Sequence, residues 1–132
     1  MDFKDKVAIV TGGGRDIGRA VSLKLAAAGA KVCINYANDE ASAQETLERI
    51  RATGGQAIVH RADVSRSQDV GELIAATQAA FGEQIDVLVN VAGGMVARKP
   101  LAEIDEAYFH QVMDLNHARG RGDRQFRLPG RS

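Results

Sequence analysis

Residues 7–18 read Val7-Ala8-Ile9-Val10-Thr11-Gly12-Gly13-Gly14-Arg15-Asp16-Ile17-Gly18, an apolar run followed by a glycine-rich stretch and the start of a helical pattern. Glycines allow the backbone to adopt positive φ and to approach a ligand closely. The first N–H groups of a helix lack partners within the helix and lie at its positive end, so they favour an anion. The stretch therefore predicts a strand, a phosphate-binding turn and a helix, provided that further βα units follow it.

Composition indicates one domain. The chain has 132 residues, of which 45% are hydrophobic, and its 17 basic and 17 acidic residues cancel. A balanced charge gives no general reason to expect nucleic acid or a membrane as a partner. Residues 119–132 nevertheless carry a net charge of +4 and residues 1–118 a net charge of −4. We expect residues 1–118 to form the domain and the Arg/Gly-rich residues 119–132 to be a disordered tail.

The cysteine and histidine content favours a soluble protein of the cytoplasm without a metal site. Cys33 is the single cysteine and lies in an apolar run, so no internal disulfide can form. The charged amino terminus lacks an apolar signal segment, and no later stretch is long enough to span a bilayer. The histidines His60, His110 and His117 show no spacing typical of metal ligands.

Short β-branched runs alternate with longer helical patterns along the chain. The predicted strands cover residues 6–11, 31–36, 56–60 and 85–90, and the predicted helices cover residues 17–28, 39–53 and 67–81, with a fourth helix starting near Glu103. The side chains expected to face the core are Ile17, Ala20, Val21 and Leu25 in the first helix, Ala43, Leu47 and Ile50 in the second, and Val70, Leu73, Ile74 and residues 76–80 in the third.

This alternation predicts an α/β fold. Right-handed crossovers place such strands in a doubly wound parallel sheet with helices on both faces. With the glycine turn after the first strand, the expected strand order is 3-2-1-4. A nucleotide would then lie across the carboxyl ends of strands one and four, where the winding reverses.

Four motifs in order resemble the short-chain dehydrogenase/reductase family, particularly the 3-oxoacyl-(acyl-carrier-protein) reductases. They are Thr11-Gly12-x-x-x-x-Ile17-Gly18, Asp63-Val64, Asn90-x-Ala92-Gly93 and Asp114-Leu115-Asn116, and the resemblance covers roughly residues 4–116. It implies a Rossmann fold and an oxidoreductase that uses NAD(P) on a small-molecule carbonyl or alcohol substrate. The family also implies a homo-oligomer.

The resemblance implies a set of cofactor-binding residues. They are Thr11, Gly12, Gly14, Arg15, Asp16, Ile17, Gly18, Tyr36, Asp63, Val64, Asn90, Ala92 and Gly93. In the family, the aspartate at position 63 accepts a hydrogen bond from the adenine amino group and the next backbone meets the ring. An aspartate at a strand end can also be a simple polar stop. The family role of Asn90 is mainly structural, bridging neighbouring strands.

Two positions depart from the family pattern. Asp16 stands where the family usually has a glycine, and Val91 stands where it usually has a second asparagine. A carboxylate directed at a pyrophosphate would be unfavourable. We favour the alternative, in which Asp16 is the N-cap of a helix that begins at Ile17, while Gly13 and Gly14 leave room for a phosphate.

The charges around the turn favour NADP(H) over NAD. An acid at the end of the second strand would bind the ribose hydroxyls and repel a 2′-phosphate, but Tyr36 occupies that position. Arg15 lies where the NADP-dependent branch of the family holds this phosphate, and a guanidinium suits phosphate geometry. The alternative is that Arg15 is a solvated loop residue without a ligand.

The sequence lacks the catalytic pair that the family uses. That pair is a tyrosine acid whose pKa is lowered by a lysine four residues on, whereas Tyr36 precedes Glu40 and Tyr108 precedes Val112 at that spacing. Asn116 is the one recognisable catalytic residue, and a helix asparagine without a catalytic role explains it equally well. We therefore expect this chain alone to be inactive. Residues after 117 lose the helical period, and our hypothesis is a shift of reading frame near that point.

Three classes of function remain open. The chain is the cofactor-binding part of an NADP(H)-dependent oxidoreductase, a non-catalytic dinucleotide-binding module, or an interaction protein that associates through an exposed fourth strand and fourth helix. Binding of dinucleotide without turnover would select the second class. A clean monomer in size-exclusion chromatography would exclude the third.

Overall fold

The computed structural model describes residues 3–91 and the backbone of residues 95–98. Its elements in chain order are β1 (Val7–Thr11), α1 (Asp16–Ala27), β2 (Lys31–Tyr36), α2 (Glu40–Ala52), β3 (Gln56–Arg61), α3 (Ser67–Phe81), β4 (Val87–Asn90) and β5 (Met95–Arg98). The three predicted helices and four predicted strands within this part of the chain are confirmed, with differences of one or two residues at some ends. The fourth helix near Glu103, the domain end at 118 and the tail 119–132 lie outside the described residues.

The sheet confirms the predicted topology. Its strand order is β3-β2-β1-β4-β5, and the four strands from β3 to β4 are parallel. Thr11 is the register partner of Asn90, so β1 and β4 end side by side. The chain runs from β1 to β2 and β3 on one side of β1, and it then crosses through α3 to β4 on the other side. The change of winding therefore lies between β1 and β4.

Helices cover both faces of the sheet. On one face, the side chains of Val10 and Ile34 pack in a core with Leu25 of α1 and Leu47 of α2. On the other face, Ile9, Cys33 and Leu88 pack with Val70 and Leu73 of α3. Successive strand residues point to opposite faces, so strands buried on both sides are apolar throughout. The expected doubly wound architecture is thus confirmed.

The prediction that strand four forms an exposed edge is wrong. β5 pairs antiparallel with β4, with Val87 opposite Arg98 and Asn90 opposite Met95. The backbone of β4 is therefore covered on both sides. This removes the edge on which the expected association through strand four depended.

Strand four also begins later than predicted, at Val87 rather than at residue 85. The reason is Asp86, whose Oδ2 accepts a 3.0 Å hydrogen bond from the backbone N–H of Val7. The Asp86 backbone N–H in turn donates to the carbonyl of Val7 at 2.8 Å. A buried carboxylate thus takes the place of a strand carbonyl at the start of the pairing with β1.

The predicted inner face of the first helix is partly wrong. Ile17 is 70% exposed and Ala20 is exposed, whereas the buried positions of α1 are Gly18, Ser22, Leu25 and Ala26. Small residues at 18 and 22 bring the first turns of α1 against the backbone of Gly12 and Gly13. The buried side of these turns is therefore formed by small residues and not by the apolar side chains. The inner positions predicted for α2 and for residues 70, 73 and 74 of α3 are confirmed, whereas Ala79 and Ala80, predicted with them, are exposed.

No helix within residues 3–91 has the length and apolar character needed to cross a membrane.

Candidate functional site

A cleft opens at the carboxyl ends of β1 and β2. Its volume is about 480 Å³, and its walls are Gly12, Gly14, Arg15, Tyr36, Ala37, Asn38 and Asp39. The structure thus brings four of the predicted cofactor residues together, namely Gly12, Gly14, Arg15 and Tyr36. The carboxyl end of a parallel sheet beside its switch point is where ligands of such folds bind.

Gly12 is the glycine of the turn that faces open space. Its φ is +66°, and a Cβ added there would meet only the side chain of Val91, at 3.8 Å. Gly18 has the opposite surroundings, because a Cβ at that position would overlap the carbonyl oxygen of Gly12. The absence of a side chain at 18 therefore lets the start of α1 lie directly against the turn.

The expectation that Gly13 and Gly14 leave room for a phosphate is wrong for the space that a side chain would occupy at each of these positions. A Cβ on Gly13 would lie 2.9 Å from Oγ of Ser22, and a Cβ on Gly14 would lie 2.8 Å from Cα of Ala43. Protein atoms occupy both spaces. These two glycines bring α1 and α2 close to the turn, and ligand contact by Gly14 would have to use its backbone.

The carbonyl of Gly14 is held by a polar network that the sequence reasoning did not foresee. The fully buried Thr46 of α2 donates its hydroxyl to this carbonyl at 2.8 Å. Nε of Arg19 donates to the Thr46 hydroxyl at 2.9 Å, and its Nη2 lies 2.7 Å from a carboxylate oxygen of Glu45. The polar residues at 19 and 46, within otherwise amphipathic helices, were the available signal. The network fixes the turn against α2.

The turn is also held from the side of the sheet. The backbone N–H of Gly13 donates to the carbonyl of Asn35 at 3.0 Å, and the hydroxyl of Ser22 donates to the carbonyl of Gly13 at 3.1 Å. The buried Asn35 amide donates to the carbonyl of Ala62 at 3.1 Å, which ties the end of β2 to the chain after β3. The turn is thus preorganised by neighbours on three sides.

The prediction that Asp16 caps the first helix is wrong. The N-cap is Arg15, which has extended backbone and makes no side-chain cap. Asp16 lies inside the helix with a φ of +53°, and its side chain is 86% exposed. An N-cap residue needs extended backbone, whereas this position needs the left-handed conformation that glycine adopts freely and aspartate tolerates.

The start of α1 consequently has open donors. Among the residues that the structure describes, the backbone N–H groups of Asp16, Ile17 and Gly18 have no acceptor, and the first helical donor with one is Arg19. The start of α2 is different, because Asp39 caps it and accepts from the backbone N–H of Ser42 at 3.0 Å. The start of α1 therefore lacks the side-chain acceptor that the start of α2 has.

Arg15 lies between two carboxylates. Its Nη1 is 3.4 Å from Oδ2 of Asp39, and its Nε is 3.9 Å from Oδ2 of Asp16. The Arg15 side chain is 67% exposed. Sequence reasoning missed Asp39 as a residue of the cleft, although the predicted helix start at 39, directly after strand two, was a signal for it.

Asp39 is held as a carboxylate. Its Oδ2 accepts from the Ser42 hydroxyl at 2.8 Å, in addition to the backbone hydrogen bond at Oδ1. The backbone N–H of Ser42, followed by the Ser42 hydroxyl and the charges of Arg15 and Arg19, lowers the pKa of Asp39 below its ordinary value. The cleft therefore keeps this negative charge throughout the neutral range.

Tyr36 ends β2 at the side of the cleft and is half-buried. Its carbonyl accepts a 3.0 Å hydrogen bond from the backbone N–H of Ala62. Desolvation, followed by the nearby charge of Glu40, raises the pKa of the Tyr36 phenol. Near neutral pH the phenol is therefore uncharged, and it can form hydrogen bonds at the side of the cleft.

Asp63 and Val64 follow the end of β3 and do not line the cleft. Oδ1 of Asp63 accepts from the backbone N–H and the hydroxyl of Ser65, at 3.0 and 2.6 Å. The Ser65 hydroxyl, followed by its N–H, lowers the pKa of Asp63. This local turn agrees with the interpretation of Asp63 as a polar stop, and its contact with adenine stays a prediction. Val64 packs partly against the core under α3.

Asn90 has the structural role expected for it. Its Oδ1 accepts a 2.9 Å hydrogen bond from the Thr11 hydroxyl, and both side chains are buried. The bond joins the ends of β1 and β4. The remaining predicted site residues, Ala92, Gly93 and Asn116, lie outside the described residues.

Comparison with known proteins agrees with this geometry. The family model for short chain dehydrogenase matches residues 6–118. A short-chain dehydrogenase/reductase homolog of Bacillus subtilis, YusS, is 41% identical over 107 residues, which are 81% of this chain and 96% of that relative. Hydroxynaphthalene reductase arp2 of Aspergillus fumigatus is 43% identical over 88% of this chain and 42% of its own length.

Solved structures share the same fold. A dehydrogenase/reductase of Sinorhizobium meliloti is 38% identical with a TM-score of 0.65, over 67% of this chain and 35% of that one. A short chain dehydrogenase of Burkholderia cenocepacia, solved in complex with NADP, is 39% identical with a TM-score of 0.64, over 68% and 36% of the two chains. The chain thus spans nearly all of the Bacillus relative and less than half of the other relatives named. Since the family model covers most of its length, the chain belongs to the short-chain dehydrogenase family.

Proposed function

We propose that this chain is the dinucleotide-binding part of an NADP(H)-dependent oxidoreductase of the carbonyl reductase or alcohol dehydrogenase type. The observation that carries the proposal is the set of open N–H groups of Asp16, Ile17 and Gly18 beside the unobstructed Gly12. A pyrophosphate supplies acceptors for such donors and meets the positive end of the helix dipole.

The residues present fit a dinucleotide in two further respects. The cleft of about 480 Å³ is lined by Gly12 and by Arg15, the residue that directly precedes these donors in the chain. Ile17, at the same turn, is the one exposed large hydrophobic side chain within residues 3–91, at 70% exposure. A ligand that lies over the start of α1 would cover this apolar surface.

Arg15 supports NADP(H) rather than NAD(H). Its guanidinium projects at the cleft wall formed with Tyr36 and Asp39, and Tyr36 replaces the acid that would repel a 2′-phosphate. The relative from Burkholderia was solved with NADP. Both observations favour the phosphorylated dinucleotide.

The chemistry of the family divides between the cofactor and the protein. A bound nicotinamide dinucleotide supplies or accepts the hydride. The described residues of this chain would bind and orient it: the turn at Gly12 and the start of α1 hold the diphosphate, and Arg15 holds the 2′-phosphate. A proton donor for a small carbonyl substrate would need a tyrosine with a lysine four residues on, which neither Tyr36 nor Tyr108 has. We therefore predict binding without turnover for these 132 residues alone.

A non-catalytic dinucleotide-binding module is the second candidate function. It is favoured by the relative in Bacillus subtilis, because the matched segment of 107 residues covers 96% of that relative, which is therefore also a short chain. Both candidates predict cofactor binding without turnover for these 132 residues, and reduction of a carbonyl substrate by NADPH with this chain would exclude the non-catalytic module. The domain limits 1–118, the disordered tail and the cytoplasmic location stay predictions, as does a homo-oligomer, which size-exclusion chromatography would test.

The experiment is a calorimetric titration of the chain with NADPH and with NADH, repeated on Arg15→Gln. NADPH is expected to bind more tightly than NADH, and Arg15→Gln is expected to weaken NADPH about tenfold because a charged hydrogen bond to phosphate is lost. Arg51→Gln, an exposed charge at the far end of α2, is the control and should leave both affinities unchanged. Absence of binding by either dinucleotide would overturn the proposed function.

A further inference from the structure

We propose that Asp39 is a specificity-determining residue of the cleft, because its carboxylate competes with a 2′-phosphate for the guanidinium of Arg15. The inference rests on the proposed function of the cleft and deepens it. It assigns the ratio of NADPH to NADH affinity to the charge at position 39 rather than to Arg15 alone.

The charges at the cleft wall do not favour an anion as they stand. Arg15 is 3.4 Å from Asp39 and 3.9 Å from Asp16, so one cation faces two carboxylates. Arg19, the next cation along α1, is engaged with Glu45 at 2.7 Å. A phosphate that binds Arg15 must therefore lie close to a carboxylate that already contacts this guanidinium and accept its repulsion.

Asp39 differs from Asp16 in how firmly it is held. Asp39 accepts two hydrogen bonds from Ser42, at 3.0 and 2.8 Å, and caps α2 through the first of them. It cannot turn away from the cleft without uncapping the helix. Asp16 is 86% exposed, and its ion pair with Arg15 is its one polar side-chain contact within the described residues. Asp16 can rotate into solvent, so the fixed charge is that of Asp39.

The two dinucleotides meet this fixed charge differently. The 2′-phosphate of NADPH carries nearly two negative charges at neutral pH and must lie within contact distance of Arg15, close to Asp39. The ribose 2′-hydroxyl of NADH carries no charge and can donate a hydrogen bond to a carboxylate. Asp39 therefore weakens NADPH binding and leaves NADH binding unchanged or strengthened.

The test compares dissociation constants of NADPH and NADH for the parent chain and for Asp39→Asn, by calorimetry at low and at physiological salt. Asparagine keeps the N-cap acceptor for Ser42 and removes the charge, so the fold should be kept. We expect the preference for NADPH over NADH to rise about tenfold, with a smaller rise at higher salt. Asp39→Ser, which also retains a cap acceptor, should give the same direction and guards against a failure of either single variant to fold.

Glu48→Gln is the matched control, because it removes one acidic charge from the same helix at an exposed position two turns further along. At physiological salt it lies beyond a Debye length of about 8 Å from residue 39, and the affinity ratio there should change less than twofold. An unchanged ratio in Asp39→Asn and Asp39→Ser, with the parent still binding NADPH, would overturn this inference and leave the proposed function intact. Failure of the parent and both variants to bind either dinucleotide would overturn both.

Discussion

The hydroxyl of Thr11 donates a 2.9 Å hydrogen bond to Oδ1 of Asn90, and the two residues are register partners at the ends of β1 and β4. Both side chains are buried. The bond lies where the winding of the sheet reverses, beside the turn that begins at Gly12. It joins the carboxyl ends of the two strands directly before the turn.

Thr11→Val should destabilise the fold by about 1–3 kcal/mol, because valine keeps the shape and leaves the buried Asn90 oxygen without this donor. Urea unfolding of Thr11→Val, Asn90→Ala and the double variant measures the pair directly. We expect a coupling free energy of at least about 0.5 kcal/mol. Additive single effects would show that the two side chains do not depend on each other.

Gly18→Ala tests the close approach of α1 to the turn. In an exposed helix this change would stabilise by about 0.5–1 kcal/mol. Here the new Cβ would overlap the Gly12 carbonyl, so we expect a net loss of about 1–3 kcal/mol in unfolding free energy together with weaker NADPH binding. A gain in stability would contradict the packing described for this turn.

Thr46→Val tests the network behind the turn. Valine removes the hydroxyl that donates to the Gly14 carbonyl and accepts from Arg19, and we expect a loss of about 1–3 kcal/mol because both partners are left without it. NADPH affinity should fall as well, since the turn loses support from α2. The control is Thr53→Val, which removes an exposed hydroxyl at the far end of the same helix and should leave cofactor affinity unchanged.

The carboxylate of Asp39 predicts a defined dependence of stability on pH. Its pKa in the folded chain lies below the ordinary value of 3.8, chiefly because Ser42 hydrogen-bonds the charged form. A group with a lowered folded pKa stabilises above its unfolded pKa, and this contribution is lost as pH falls through the folded value. Urea midpoints of the parent should therefore fall more steeply below about pH 4 than those of Asp39→Asn. Parallel curves for the two proteins would show that the carboxylate makes no such contribution.

Local patterns sufficed for most of the fold. Residues 31–36 and 67–81 were predicted with the bounds that the structure has, because an apolar β-branched run and a helical period are each bounded by clear polar or glycine signals. The start of β4 was not predicted correctly. The carboxylate of Asp86 takes the place of backbone pairing there, and its contact with Val7 cannot be read from local sequence. β5 was missed because four residues after a glycine pair carry little strand signal by themselves.

The site was less predictable than the fold. Gly12, Gly14, Arg15 and Tyr36 meet in one cleft as expected, since the topology alone places the ends of β1 and β2 together. The direction of the Asp16 side chain could not be read from sequence, because it depends on a φ of +53° set by the turn. The pairing of Arg15 with Asp39 joins two βα units and is a tertiary contact. Sequence gives the residue types there, and the fold decides which charges meet.

The central claim is that the start of α1 binds the diphosphate of a nicotinamide dinucleotide. The most direct measurement is the change in backbone amide NMR signals of the ¹⁵N-labelled chain as NADPH is added. We predict saturable shifts at Gly12, Ile17 and Gly18, with no change at Gly54 and Gly55, which lie at the opposite end of the sheet. Unchanged signals at the turn, or shifts confined to the end of the sheet with Gly54 and Gly55, would contradict the account.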